Sequence, residues 1–164
     1  MKIKEYINEV PNFPIKDVNF KDISPLLANH EIFKEVIGDM GRMVKNPDYW
    51  VGVDARGFIF ASALSIVYGG GVVLCRKKGK LPPPVQTYGY KTEYSSDVLE
   101  IKEGEGTVTI VDDVLATGGT MHTVNKLVEN AGYTIENNLV LIDLKYVPRI
   151  NNFDLEVKSL VDYE

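Results

Sequence analysis

The sequence predicts an α/β fold: an open, mostly parallel sheet flanked by helices. Two observations carry this. Short apolar runs alternate with helical patterns along most of the chain, the order that gives parallel strands joined by crossover helices. One run leads through two adjacent carboxylates and a loop of small residues into a helix, Val108-Thr-Ile-Val-Asp-Asp-Val-Leu-Ala-Thr-Gly-Gly-Thr120. Open sheets present ligands in this way, beyond the carboxyl ends of their strands.

Taken in order, Trp50 to Asp54, Val72 to Cys75, Val108 to Val111 and Leu139 to Leu144 read as strands, being short, apolar and rich in β-branched residues. A helix is expected from near His30. A second covers Phe58 to Val67 and stops at Gly69-Gly70-Gly71. A third covers Met121 to Asn130, with Val124, Leu127 and Val128 on one face and Gly132 as its C-terminal stop. Two stretches break the alternation. Residues 1–35 contain Pro11, Pro14 and Pro25 and read as a small N-terminal hood. Residues 82–98 begin Pro-Pro-Pro, hold Tyr88, Tyr90 and Tyr94, and precede a short strand at Leu99-Glu100-Ile101. So long a connection inside a compact domain points to a lid.

With 164 residues and no linker or repeat, one domain spanning 1–164 is expected. A content of 45% hydrophobic and 25% charged residues is that of a soluble globular protein. The formal charge of -5 argues against nucleic acid as a partner, so any phosphate site must be a local cluster of donors and cations. Cys75 is the only cysteine, which excludes an internal disulfide and a thiolate metal site and fits a reducing cytoplasm. Glu5 and Glu9 interrupt the N-terminal run, and no stretch reaches membrane-spanning length. Neither an export signal nor a membrane partner is expected.

Gly118 and Gly119 allow close backbone approach to an anion, and Thr117 and Thr120 add hydroxyl donors. Asp112 and Asp113 would repel a bare phosphate, so they call for hydroxyl donors or a metal beside it. A sugar phosphate supplies the hydroxyls. An isolated Asp-Asp or Gly-Gly would merely end a strand or make a turn; the complete order is far more specific. Other phosphate motifs fail: Gly79-Lys80 is followed by Leu81, and Gly104-x-Gly106 lacks a third glycine and precedes a strand.

The segment from Asp112 to Thr120 resembles the phosphoribosyl pyrophosphate (PRPP) signature of type I phosphoribosyltransferases, and four further segments narrow the resemblance to the adenine phosphoribosyltransferases. Val18-Asn-Phe-Lys-Asp-Ile-Ser-Pro25 is similar to their adenine-binding segment. The resemblance implies that Phe20 packs on the base while the main chain of Asn19 and Lys21 reads its edge. Gly52-Val-Asp-Ala-Arg-Gly-Phe58 resembles their pyrophosphate loop, which brings in Asp54, Ala55 and Arg56. Arg76-Lys-Lys-Gly-Lys-Leu-Pro82 resembles a basic segment that holds pyrophosphate, with Arg76, Lys77 and Lys80 as its cations. Tyr90-Lys-Thr-Glu-Tyr94 resembles the lid, with Glu93 acting on the purine and Tyr94 covering the site. Lys21 and Asn19 stand where many relatives have Arg and an apolar residue, and Pro83-Pro84 where Pro-Gly is common.

The resemblance implies purine salvage: transfer of the 5-phosphoribosyl group from PRPP to N9 of adenine, giving AMP and pyrophosphate. Glu93, Asp112, Asp113 and Arg56 would be catalytic. Val114, Leu115, Ala116, Thr117, Gly118, Gly119 and Thr120 would cradle the 5-phosphate. No fixed metal site is implied, since Mg²⁺ would arrive on PRPP, and a homodimer is implied. The alternatives are a transferase for xanthine or hypoxanthine, a regulatory protein that binds PRPP without turnover, and a different sugar-phosphate enzyme. His30 and His122 stand alone and read as solvated or capping residues; Trp50 reads as core or interface.

Overall fold

The computed structural model describes residues 2–91 and 96–164. A short 3-10 turn, Ile3–Tyr6, precedes β1 (Asn8–Pro11), β2 (Asn19–Asp22), α1 (Ser24–Ala28), α2 (His30–Arg42), β3 (Tyr49–Val53), α3 (Arg56–Tyr68) and β4 (Gly71–Lys77). Then come β5 (Val85–Lys91), β6 (Ser96–Lys102), β7 (Thr107–Leu115), α4 (Gly119–Asn130), β8 (Thr134–Leu144) and β9 (Lys158–Tyr163). The main sheet has seven strands in the order β5-β6-β4-β3-β7-β8-β9, while β1 and β2 form a separate hairpin. Strands β4, β3, β7, β8 and β9 are parallel to their neighbours in that block; β6 runs antiparallel to β4, and β5 to β6.

Period-two alternation divides the core. Trp50 faces one layer, with Leu26, Val36, Met40, Phe60 and Leu64 from the first three helices. Val51 and Val53 face the other, with Leu99 and Ile101 from β6 and Met121, Val124, Leu127 and Val128 from α4. Trp50 is fully buried, and its indole donates to the carbonyl of Gly69 at 2.8 Å. The helix near His30 begins at His30 itself, capped by the Asn29 side chain, which accepts from the Ile32 amide at 3.2 Å. Gly132, just beyond α4, takes φ +108°, which suits glycine.

All four strands expected from the apolar runs are present, and β7 and β8 are longer than their apolar runs. Strand β7 does not stop ahead of its carboxylates. Its pairing with β3 ends at Gly52 and Val111, but its pairing with β8 continues through Asp112 and Val140, Val114 and Ile142, to Leu115 and Asp143. The acids therefore sit on a strand held from one side and open on the other. Within the stretch read as a lid, 82–98, the described residues 85–91 and 96–98 are strand: β5 and β6 pair from Val85 and Lys102 to Lys91 and Ser96. Backbone pairing across a hairpin does not require an apolar alternation, which is why the polar composition concealed it.

From β3 the chain crosses to β4 on one side, and from β7 it crosses to β8 on the other. The crevice between the carboxyl ends of β3 and β7 is thus the topological switch point, where open α/β sheets bind their ligands. Gly57 lets α3 start close to β7: a Cβ there would stand 2.6 Å from the Val111 carbonyl oxygen. Among the described residues no helix is long and apolar enough to cross a membrane.

Candidate active site

Arg56, the first residue of α3, reaches across the switch point. Its Nε lies 2.7 Å from Asp113 Oδ2, and its guanidinium carbon is 5.0 Å from the centre of the Phe20 ring. One side chain thereby joins the end of β3, the acid pair of β7 and the hood. Asp113 is buried, so this cation is what offsets its charge. Asp112 takes the amide of Asp113 on its Oδ1 at 2.9 Å. Burial pushes the Asp112 carboxyl well above the usual carboxylate range, and the adjacent Asp113 charge pushes it further.

After Leu115 the chain folds into a cup of about 90 Å³, lined by Asp112, Val114, Leu115, Ala116, Thr117, Gly118, Gly119, Thr120 and Met121. Every residue expected to cradle the phosphate lines it. Gly118 caps α4 with φ +85°, a conformation that turns the chain into the helix without strain only at glycine. The amides of the first helical turn lack intrahelical acceptors and carry the positive end of the helix dipole. A cup of this kind can hold an anion.

On the β3 side, Asp54 and Ala55 bridge into α3. Asp54 Oδ2 accepts from the Lys77 amide at 3.4 Å and lies 3.8 Å from Arg76 Nε. That Nε is buried and has no hydrogen-bond partner among the described residues, an unsatisfied donor on the rim of the site. Lys77 and Lys80 are exposed. Glu100, which the sequence did not single out, is buried on β6 and accepts from the amides of Leu81 at 2.7 Å and Lys80 at 2.9 Å. Those backbone bonds, Leu81's first, hold its carboxyl below the ordinary range. Glu100 fixes the basic segment from beneath.

In the hood, Phe20 meets the edge of Phe13, their ring centres 5.2 Å apart at 71°. An open cavity of about 290 Å³ is lined by Val10, Phe13, Phe20 and Asp22. The Lys21 side chain is buried away from solvent, 2.9 Å from Glu9 Oε2 and 4.1 Å from the centre of the Tyr163 ring. Asn19 Nδ2 donates to the same Glu9 oxygen at 2.7 Å. Both side chains are thus engaged within the protein, Asn19 and Lys21 with Glu9 and Lys21 also with Tyr163. Phe13 had no sequence signal beyond its aromatic character. Glu93 and Tyr94 lie outside the described residues.

Cys75 is buried next to the crevice, and burial, with Asp112 and Asp54 nearby, raises its thiol to about 12. It stays protonated and is no nucleophile. The His30 side chain is exposed, and among the described residues no three or more His, Cys, Asp or Glu side chains gather as a metal site.

Fold and site together define a phosphoribosyltransferase: the family model for the phosphoribosyl transferase domain matches residues 22–145. Similar curated proteins include the adenine phosphoribosyltransferase of Bdellovibrio bacteriovorus, 40% identical over 99% of this chain and 100% of that protein. That of Mycoplasmopsis synoviae is 43% identical over 99% and 97% of the two chains. Among solved structures, the adenine phosphoribosyltransferase of Thermoanaerobacter pseudethanolicus superposes with a TM-score of 0.89 at 36% identity, covering 99% and 98% of the two chains. The enzyme from Giardia lamblia complexed with 9-deazaadenine gives 0.86 at 27%, covering 99% and 96%. The chain belongs to the adenine phosphoribosyltransferases within that family.

The raised Asp112 carboxyl has a consequence for stability. Its contribution is fully present below the ordinary carboxylate value and is lost as pH rises through the raised one. Asp112→Asn removes that loss while keeping an acceptor for the Asp113 amide. The ligand-free variant is expected to melt about 2–4 °C above wild type at about pH 7, the equivalent of roughly 1 kcal/mol at this chain length. Near about pH 4, close to the unperturbed Asp value, the gain should shrink. Scanning calorimetry at the two pH values measures both, and a lower melting point at neutral pH would contradict the assigned burial.

Proposed function

We propose that this chain transfers the 5-phosphoribosyl group of PRPP to N9 of adenine, releasing AMP and pyrophosphate in purine salvage. The observation that carries the reading is Arg56. It links the acid pair beside the anion cup to an aromatic wall in the hood, so a sugar phosphate and a flat base fit on either side of one cation.

Breaking the bond between ribose C1 and the diphosphate leaves positive charge on the sugar and negative charge on the leaving group. Asp112 and Asp113 accept the ribose hydroxyls and favour the cationic sugar. As the hydroxyls take over Asp113, Arg56 turns to the diphosphate, where Arg76, Lys77 and Lys80 also act. The buried Nε of Arg76, without a hydrogen-bond partner among the described residues, supports that role. Arg56 lies 5.0 Å from the Phe20 ring centre, too close for a ring between them, so adenine stacks on Phe20 once Arg56 has turned to the diphosphate, its edge read by the main chain of Asn19 and Lys21. Glu93 handles the proton displaced around the ring, and Tyr94 and the lid, residues 82–98, exclude water.

Mg²⁺ fits this site as a substrate-borne ion. The substrate's phosphate oxygens are a hard oxygen donor set, and Mg²⁺ commonly keeps several waters, so it needs few protein ligands. Carried on the diphosphate, it would supply charge neutralisation to the leaving group.

A homodimer and a cytoplasmic location belong to the same reading. Helix α3 exposes Ile59, Ile66 and Val67, with Ile66 87% exposed, and β4 exposes Val72 and Leu74. An apolar patch on adjoining elements fits a second copy of the chain. The free, buried Cys75 suits a reducing compartment.

Incubating the protein with Mg²⁺, PRPP and each of adenine, hypoxanthine and xanthine tests the activity. Adenine should be preferred by roughly 10⁴-fold in kcat/KM, because hypoxanthine reverses the donor and acceptor that main-chain groups would meet. Comparable values would move the reading to another purine, and binding without turnover to a regulatory role. In the same assay Glu93→Gln should lower single-turnover AMP formation with PRPP affinity little changed; an unaltered chemical step removes Glu93 from the mechanism. Sedimentation of the purified chain should give twice the monomer mass, and a monomer at assay concentration would refute the interface.

A further inference from the structure

The back of the anion cup is gripped by a segment to which nothing in the sequence drew attention. Arg149, in the loop after β8, donates from Nη1 to the carbonyl of Ala116 and to those of Leu144 at 3.1 Å and Val147 at 3.4 Å, and from Nη2 to Asp143 Oδ1. The next amide, Ile150, donates to the carbonyl of Thr117 at 2.9 Å. Phe153 covers Gly118 so closely that a Cβ there would stand 2.4 Å from its ring, and the Arg149 guanidinium lies 5.9 Å from the centre of that ring. Three consecutive residues of the cup are thus held from behind by three residues of one loop.

The anchor is rigid. Asp143 is buried on β8 and pairs in register with Leu115, the last residue of β7 before the cup. Its charge is matched by Arg149 and by Lys145 Nζ at 3.5 Å. Peptide geometry supplies the consequence. In a trans peptide the carbonyl and the following N–H point in opposite directions. Pinning the Ala116 carbonyl backwards turns the Thr117 amide forwards, and pinning the Thr117 carbonyl does the same for the Gly118 amide.

We propose that Arg149, seated on Asp143, is a positioning residue for sugar-phosphate binding: with the adjoining Ile150 amide it fixes the carbonyls of Ala116 and Thr117 so that the amides of Thr117 and Gly118 face the anion. It touches no substrate. The inference rests on the proposed function only for the identity of the sugar phosphate, and its test separates the two.

Calorimetric titration of the full chain with ribose 5-phosphate measures the cup without turnover, and steady-state kinetics then give KM for PRPP and for adenine. Arg149→Met should weaken ribose 5-phosphate and raise KM for PRPP by about tenfold or more, as for loss of a charge-assisted contact, with KM for adenine changed less than about twofold. Arg149→Lys keeps the charge on Asp143 but lacks the fork that reaches the carbonyls, so it should recover only part of the loss. Should circular dichroism show Arg149→Met unfolded, Arg149→Lys carries the comparison, with a ligand-specific loss of several-fold expected. Unchanged sugar-phosphate affinity in the folded variant, equal rises in both KM values, or no sugar-phosphate binding by wild type would overturn the clamp. Wild-type binding of ribose 5-phosphate without AMP formation, together with its loss in the variant, would remove the proposed activity and leave the clamp standing.

Discussion

The Arg56 to Asp113 ion pair is the contact on which the site's architecture depends. Two acids on consecutive residues of a largely buried strand repel each other and lose hydration. A cation must come from a neighbouring element, and α3 supplies it from its first residue, 2.7 Å from Asp113. That reach requires the helix to start almost against β7, and Gly57 makes the approach possible. The same guanidinium lies over Phe20, so the position of the hood is coupled to the state of the acids. A ligand whose hydroxyls replace Arg56 on Asp113 would release that cation toward a diphosphate.

Around this pair the charge is distributed locally in a chain that is acidic as a whole. Arg76 lies beside Asp54, Glu100 draws the Lys80 and Leu81 amides onto β6, and Arg149 is seated on Asp143. In each case an acid holds cationic side chains or backbone donors in place, and these line the crevice or brace its cup. The net charge of -5 is therefore compatible with strong local attraction for a polyanion. The raised Asp112 carboxyl is the other side of this arrangement: a buried acid beside a second acid, which costs the fold stability at neutral pH.

What the sequence disclosed, and what it did not, follows from the range of the interactions. The apolar runs at Trp50, Val72, Val108 and Leu139 and the glycines at 118 and 119 act within a few residues, so the parallel core and the anion cup could be read directly. The Leu99-Glu100-Ile101 strand was also legible, as part of β6, whereas β5 is polar and held by cross-hairpin backbone bonds, and β9 forms by pairing with a strand more than a dozen residues earlier. Neither leaves a local period. Asp143 lay unremarked inside the Leu139 to Leu144 run and Arg149 carried no local signal; only the return of the chain behind the cup gives them partners. Lys21 was assigned through its main chain, and the burial of its side chain against Glu9 and Tyr163 depends on the C-terminal strand, far away in sequence.

The central claim is that the acid pair at the end of β7 stabilises a sugar whose bond to diphosphate is breaking. Single-turnover AMP formation from adenine and PRPP, compared between wild type and the double variant Asp112→Asn, Asp113→Asn, tests it most directly. Both changes preserve shape and remove the charge, so the account expects a folded protein whose chemical step is slowed by about 10²-fold or more, a loss on the scale of other electrostatic stabilisers. A double variant that forms AMP at the wild-type rate would contradict it.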